Sequence, residues 1–347
     1  MRITSVIPSR RTLIRLGTGV FVMAGIGFAA LLSFTHTFLT ADPAPSLSVR
    51  DSAPTLTPTP TPFPLGVNPQ TQTITQVDGV ESFLTTQLAS SVRREHRRGW
   101  LAKIERILLR SSAVQQLASA NTRTLVIWPG DRKEQVVDHF GDILNWDDTE
   151  RSSFAAQAGS TVPAVADGVM MPGRYVLPKD TSPDVAAAAV TERFTNEVLS
   201  RYPDETAAVL PLKDTLIVAS LLEREAYSFD HMQEISGVIW NRLFADMPLQ
   251  LDATLQYVKG SLPSTPVWWP LVRPEDKFLD SPFNTYQVKG LPPAPIANPS
   301  AAAILAAMNP NQTDCMFYFH HDDGELFCST TYDEHVAKLQ QLYGRGR

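Results

Sequence analysis

Residues 216–257 read LIVASLLEREAYSFDHMQEISGVIWNRLFADMPLQLDATLQY, and this stretch predicts the architecture of the second half of the chain. Val218 and Leu221 recur at the spacing of one helical face, and Glu225 continues that face. Glu223 lies two residues earlier, about 200° around the helix, so the two carboxyl groups point in different directions. The stretch therefore predicts a helix that places one glutamate against apolar neighbours.

A carboxyl group among apolar side chains is harder to ionise, so its pKa rises and it can keep a proton near neutral pH. This is the property that a general acid needs. The alternative is that Glu223 and Glu225 belong to a solvated helix end, because exposed glutamates are the norm. Composition alone favours the solvated helix end, and only further motifs can favour the acid.

The residues after this helix predict a second helix and then a polar surface beside the first one. Residues 247–252 read MPLQLD, and an extended chain there would turn Gln250 and Asp252 to the same side. An ordinary edge strand is the alternative. Two later proline-rich loops predict rigid turns, and in the first of them Asn284 and Tyr286 offer the amide and hydroxyl groups that hold sugars.

The N-terminus predicts a membrane anchor. The segment 16–40 is uncharged and long enough to span a bilayer as a helix. Several arginines precede it within residues 1–15. The positive-inside rule then places residues 1–15 in the cytoplasm. A cleaved secretory signal or a twin-arginine export signal is the alternative. Under each interpretation the rest of the chain lies outside the cytoplasm, and the anchor makes it a single-pass protein of the cell membrane.

Three segments separate the anchor from the second half of the chain. Residues 41–75 are rich in proline and threonine and predict an extended linker. Residues 76–123 have helical periodicity around a basic cluster that is either a solvated face or a contact for acidic wall polymers or lipid headgroups. Residues 124–205 predict a strand, two helices and a connector, an order compatible with a small carbohydrate-binding module.

Composition limits the remaining function classes. A net charge of −6, without a basic stripe interleaved with aromatic residues, gives no reason to expect nucleic acid. The histidines lie at no recognised metal spacing, so we expect no metal and no cofactor. Cys315 and Cys328 flank a predicted hairpin, where they are either a disulfide or two free thiols.

Six motifs in the second half resemble the YceG/MltG family of endolytic murein transglycosylases. In chain order they are ASLLEREA at 219–226, GVIWNRL at 237–243, PLQLDATLQY at 248–257, SPFNTY at 281–286, KGLPPAPIANP at 289–299 and TYDEH at 331–335. The resemblance extends more loosely upstream, where residues 125–130 resemble the strand before a LysM-like helix. It departs at residues 172–175, where PGRY replaces the usual acidic motif, and at Ala253, where proline is usual.

The resemblance implies an α+β protein in which a small LysM-like α/β subdomain at 124–205 precedes a catalytic domain at 206–347. It implies cleavage between N-acetylmuramic acid and N-acetylglucosamine within peptidoglycan glycan strands, leaving 1,6-anhydro ends. The family's catalytic acid matches Glu225. Membrane anchoring fits the family, no cofactor is required, and a peptidoglycan synthase becomes a candidate partner.

The remaining polar residues receive supporting roles under this resemblance. Gln250, Asp252, Asn284 and Tyr286 are candidates for substrate contacts or for orienting Glu225. Glu223 is a further candidate for substrate contact, or else a supporting or structural residue. Two alternatives stay open at this point. One is a two-carboxylate glycoside hydrolase whose second carboxylate is Asp252, and the other is an anchored wall-binding protein without catalysis.

Overall fold

The computed structural model describes residues 60–88, 120–160, 162, 165, 167–263 and 267–344. The predicted anchor at 16–40, the predicted cytoplasmic residues 1–15 and the basic cluster at 93–98 lie outside these residues. Within the described part of the chain, no helix has both the length and the apolar character needed to cross a membrane.

The first described segment packs on the second half of the chain. Its elements are β1 (Val67–Asn68), β2 (Thr73–Ile74) and α1 (Val80–Gln87). Phe63 and Val67 are buried in the main core, and the Gly66 N–H donates to the Met308 carbonyl at 2.9 Å. The predicted linker is therefore wrong for residues 60–75, because apolar side chains scattered among the prolines bury against the domain that follows.

A small subdomain follows, with a core of its own. Its elements are β3 (Thr122–Ile127), α2 (Lys133–Leu144), α3 (Asp148–Ala158), β4 (Gly173–Pro178) and α4 (Pro183–Glu197). β3 and β4 pair antiparallel from Thr122 opposite Pro178 to Ile127 opposite Gly173. The predicted order of strand, helix and helix is present. A second strand, β4, pairs with β3, so the order is strand–helix–helix–strand. Residues 122 and 123, predicted to belong to the helical region 76–123, lie in β3 instead.

The remaining residues form the larger, mainly helical domain. Its elements are the 3-10 turn Leu199–Arg201, α5 (Asp204–Val209), α6 (Leu212–Glu225), α7 (Phe229–Phe244), α8 (Asp252–Gly260), the 3-10 turn Pro274–Phe278, α9 (Ala301–Met308), β5 (Phe317–His320), β6 (Leu326–Ser329) and α10 (Tyr332–Tyr343). α9 is buried along its whole length, and α6 and α7 pack against it. Helices and antiparallel strand pairs together make the fold α+β, as the sequence predicts.

The segment before α8 differs from its prediction. Gln250 has a φ of 52°, in the left-handed region, and Asp252 is the first residue of α8. The backbone N–H of Gln250 donates to the Thr285 carbonyl at 3.0 Å, and the N–H of Leu251 donates to the Thr285 hydroxyl at 3.0 Å. The predicted extended conformation is therefore wrong at Gln250, where the chain turns, and at Asp252, where α8 begins. The predicted alternation is nevertheless present, since Gln250 and Asp252 are exposed while Leu249 and Leu251 are buried.

Two contacts fix the small subdomain on the larger domain. The Asn298 side chain donates to the Asp131 carbonyl at 2.9 Å and accepts from the Met170 N–H at 3.0 Å. The Arg132 guanidinium lies 4.2 Å from the centre of the Tyr257 ring and donates to the Ser261 hydroxyl at 2.8 Å. A stacked and hydrogen-bonded guanidinium holds one orientation, so the two units are joined at a defined angle.

The β5–β6 hairpin is closed covalently. Cys315 and Cys328 form a disulfide with their Cα atoms 5.7 Å apart, which decides between the two alternatives that the sequence leaves open. Tyr318 lies opposite Cys328 in the strand register. The disulfide therefore holds the part of the hairpin that carries Tyr318.

Candidate active site

Glu225 is the last residue of α6 and faces β5 and the start of α8. We call the surface where these three elements meet the cleft. The preceding residues 215–222 of this helix are all buried, while Glu225 is half-buried. Its Oε2 accepts a hydrogen bond from the Tyr318 hydroxyl at 2.9 Å. Its Oε1 faces the N-terminus of α8, where the Ala253 N–H donates at 3.4 Å. Two donors from different elements thus hold the carboxyl group in one orientation.

The surroundings of Glu225 raise its pKa. Burial is the largest cause, because it penalises the charged carboxylate. The hydrogen bonds from Tyr318 and Ala253 act in the opposite direction, and the charge of Asp252 raises the pKa further. Burial also raises the pKa of Tyr318 well above its ordinary value, so its hydroxyl stays a donor. The site therefore favours a protonated carboxyl group and provides donors for the carboxylate that it becomes.

Asp252 and Tyr286 form a second polar pair beside Glu225. The Tyr286 hydroxyl donates to Asp252 Oδ1 at 2.7 Å, and the Lys277 ammonium lies 4.8 Å from the centre of the Tyr286 ring. Burial and the bond to Asp252 raise the pKa of Tyr286. Because Asp252 is exposed, its second oxygen is available to a ligand in the cleft.

Glu223 faces away from Glu225, as the helical periodicity predicts. Its Oε2 accepts from the Ser300 N–H at 3.0 Å and from the Ser300 hydroxyl at 2.7 Å. Ser300 is the N-cap residue of α9. The Glu223 carboxylate therefore supports the positive end of a buried helix. These bonds give Glu223 a structural position rather than that of a substrate contact.

Asn284 and Gln250 occupy contrasting positions. Asn284 is fully buried; its amide group donates to the carbonyls of Lys277 and Leu279, and its side-chain oxygen accepts from the Tyr286 N–H at 3.0 Å. It offers no surface to a sugar and instead positions Tyr286. Gln250 is exposed beside Asp252, so it keeps its place among the candidate substrate contacts.

Sequence reasoning missed Tyr318 and Arg242. Tyr318 lies 93 residues after Glu225, and only the tertiary fold brings its hydroxyl to the carboxyl group. The buried Arg242 guanidinium donates to the Met316 carbonyl at 2.6 Å and to the Leu249 carbonyl, so it joins the hairpin to the segment before α8. Arg242 follows the apolar run Val238–Trp240 in the last turn of α7, where an arginine is typical of an ordinary helix end, and Tyr318 had no signal in the sequence.

Two other features lie away from this cleft. A cavity of about 370 Å³ borders the disulfide and is lined by Phe319 and Phe327, among others. Since Phe319 and Tyr318 are neighbours on a strand, they point to opposite faces of the hairpin, and the cavity is not part of the Glu225 cleft. Among the described residues, no group of three or more acidic, histidine or cysteine side chains could hold a metal ion.

Comparison with known proteins gives one family. The YceG-like family model matches residues 84–341. The endolytic murein transglycosylase of Bacillus subtilis (strain 168) is 31% identical over 180 residues, which are 51% of this chain and 48% of that protein. The endolytic murein transglycosylase of Streptococcus pneumoniae serotype 2 (strain D39) is 28% identical over 177 residues, which are 50% of this chain and 32% of that protein. The matched segments thus span about half of the first relative and about a third of the second.

A solved structure supports the same fold. The 2.6 Å crystal structure of a yceG-like protein from Listeria monocytogenes superposes with a TM-score of 0.54 at 25% sequence identity. The superposition covers 65% of this chain and 80% of that one.

Proposed function

This chain belongs to the YceG-like family, and we propose that it is an endolytic murein transglycosylase that cleaves within peptidoglycan glycan strands. Its scissile bond joins N-acetylmuramic acid to N-acetylglucosamine, and the product carries a 1,6-anhydro end. The names of two relatives support this reaction. The observation that carries the proposal is the single carboxyl group of Glu225, with a raised pKa, fixed by Tyr318 and by the N-terminus of α8.

The reaction needs one carboxyl group in two successive roles. Protonated Glu225 donates its proton to the glycosidic oxygen as the bond from that oxygen to C1 of the muramic acid breaks. The resulting carboxylate then accepts the proton of the muramic acid 6-hydroxyl as that oxygen bonds to C1. Glu225 regains its proton and no water is consumed. Tyr318 and the Ala253 N–H stabilise the carboxylate between the two steps.

The polar residues around Glu225 then bind and orient the sugars. Asp252 and Gln250 contact substrate hydroxyl or acetamido groups from the exposed side of the cleft. Tyr286 orients Asp252, and Asn284 orients Tyr286 through its backbone. Lys277, which lies against the Tyr286 ring, brings positive charge to the same edge of the cleft.

A hydrolytic reaction is the second candidate, because Asp252 is an exposed carboxyl group whose charge acts on Glu225. In that case Asp252 would activate water or attack the sugar directly. The two reactions differ in mass, since an anhydro product lacks the elements of water. Reducing ends that incorporate oxygen from labelled water would favour hydrolysis.

We further propose that this site acts at the cell wall. The strand–helix–helix–strand order at 122–178 supports a LysM-like subdomain that holds glycan beside the cleft. We assign residues 16–40 to a single membrane anchor, with the catalytic domain outside the cytoplasm. The Cys315–Cys328 disulfide supports this location, since disulfides persist in oxidising compartments. A peptidoglycan synthase stays a candidate partner, and fractionation with protease protection of intact cells tests the topology.

The full chain incubated with purified peptidoglycan tests the reaction. We expect anhydro-muramyl products from the wild type and none from Glu225→Gln, while Glu192→Gln, on the exposed face of α4, serves as the matched control. Purified sacculi that bind the protein without product release would instead favour the wall-binding alternative.

A further inference from the structure

One face of β5 continues the catalytic site away from Glu225. Tyr318 and His320 are two residues apart on this strand, so they share a face. Phe317 and Phe319 occupy the other face, where both contact the His335 ring of α10. His320 therefore lies on the same side of the hairpin as the hydroxyl that holds Glu225.

Two further rings join His320 there. The Tyr227 ring meets the His320 ring edge to face with 4.5 Å between centroids, and the His231 ring lies 5.5 Å from His320. The Tyr318 ring is 6.2 Å from His320. We call Tyr227, His231 and His320 the ring shelf. The Tyr318 ring lies between the shelf and Glu225, since it neighbours His320 and its hydroxyl donates to the Glu225 carboxyl group.

The Tyr227 ring is the exposed part of the shelf, and the two imidazoles carry buried nitrogens behind it. Tyr227 is 51% exposed, although it follows Glu225 by only two residues. Nδ1 of His231 and Nε2 of His320 are inaccessible to solvent and have no hydrogen-bond partner among the described residues. Buried polar atoms normally have partners. Burial and the neighbouring His231 lower the pKa of His320, so its ring is uncharged at neutral pH where it packs against Tyr227.

An exposed aromatic ring two residues after Glu225 offers a surface on which the apolar face of a sugar ring can stack. Resting on the proposed function, we propose that the ring shelf is a glycan subsite: it holds a sugar unit of the strand beside the bond that Glu225 cleaves. The apolar face of the sugar stacks on the exposed ring of Tyr227, and His320, which packs edge to face on that ring, holds it in place. The role is binding and register, not proton transfer.

Binding of soluble, uncrosslinked glycan strands to the full chain tests the shelf without catalysis. Glu225→Gln serves as the background, because strands then stay intact. Adding Tyr227→Ala should raise the Kd about 10-fold, since stacking on an aromatic ring contributes on the order of one factor of ten. Tyr227→Trp should restore the affinity. Tyr332→Ala is the matched control, because Tyr332 is 61% exposed but lies on α10 at the other face of the hairpin.

The same exchange in the active enzyme gives the second readout. Tyr227→Ala should raise KM about 10-fold and change kcat much less, because the shelf acts in binding. Equal Kd values for the Tyr227→Ala and Tyr332→Ala variants, or no strand binding by Glu225→Gln, would overturn the subsite. Absence of anhydro products from the wild type would refute the proposed reaction instead, and the Kd comparison is measured independently of it.

Discussion

Replacing Tyr318 by phenylalanine removes one atom from the site and tests how Glu225 is controlled. The lost hydroxyl donates to Glu225 Oε2 at 2.9 Å, and this bond favours the carboxylate. Without it, the pKa of Glu225, already raised by burial, rises further. The acid therefore stays protonated to a higher pH than in the wild type.

The size of the effect follows from the type of hydrogen bond. A bond to a charged group contributes about 1.5–3 kcal/mol. At 1.36 kcal/mol for each pKa unit, its loss raises the pKa of Glu225 by about 1–2 units. The rate below the pKa should also fall about 10-fold or more, because the carboxylate formed during bond cleavage loses the same stabilisation.

The assay is product release from peptidoglycan across a pH series, read as kcat/KM, whose alkaline limb reports the essential acid in the free enzyme. Tyr332→Phe is the control, since it removes an exposed hydroxyl on α10. An unchanged circular dichroism spectrum would show that Tyr318→Phe is folded. If its alkaline limb then lies at the same pH as that of the wild type, the role of Tyr318 is refuted. An alkaline limb displaced to lower pH would show that the lost hydrogen bond lowers the pKa of Glu225 instead of raising it.

Three further predictions concern stability. Replacing Cys315 and Cys328 by alanine should lower the free energy of unfolding by about 3 kcal/mol, the chain-entropy value for a separation of 13 residues; urea unfolding measures it, and an unchanged midpoint would contradict it. Glu225→Gln should be more stable than the wild type at pH 8. Folding raises the pKa of Glu225, so the stability that its protonated carboxyl group contributes is lost as the pH rises through the folded-state pKa. Below the unfolded-state pKa of about 4.3 the two proteins should match, and a difference that grows toward acidic pH would contradict the sign. Arg132→Ala should lower the free energy of unfolding by about 2–3 kcal/mol, because it loses the stacking on Tyr257 and the hydrogen bonds to the larger domain. A thermal unfolding midpoint equal to that of the wild type would count against a stabilising role of that contact.

The position of Glu225 could be predicted because it depends on local periodicity. A helix repeats every 3.6 residues. The apolar stripe of α6 therefore identifies Glu225 as the glutamate at the cleft and predicts that Glu223 lies on the opposite side of the helix. The antiparallel hairpin and the boundaries of α9 and α10 likewise follow from turn and cap residues near them in the sequence. These features need no knowledge of distant contacts.

The features that the sequence could not predict depend on distant partners. Tyr318 reaches Glu225 only because the hairpin folds onto the end of α6, and the disulfide depends on a register that spacing alone leaves open. Residues 60–75 resemble a linker in composition, yet Phe63 has a place in a core made by later helices. Gln250 takes a left-handed conformation because Thr285, 35 positions later, bonds the backbone there.

We propose that Glu225 serves as both acid and base in a reaction that consumes no water. Mass spectrometry of the products released from peptidoglycan by the full chain, in water labelled with ¹⁸O, tests it most directly. We expect anhydro-muramyl ends without label from the wild type and no release from Glu225→Gln. Labelled reducing ends, or unchanged release by Glu225→Gln, would contradict the account.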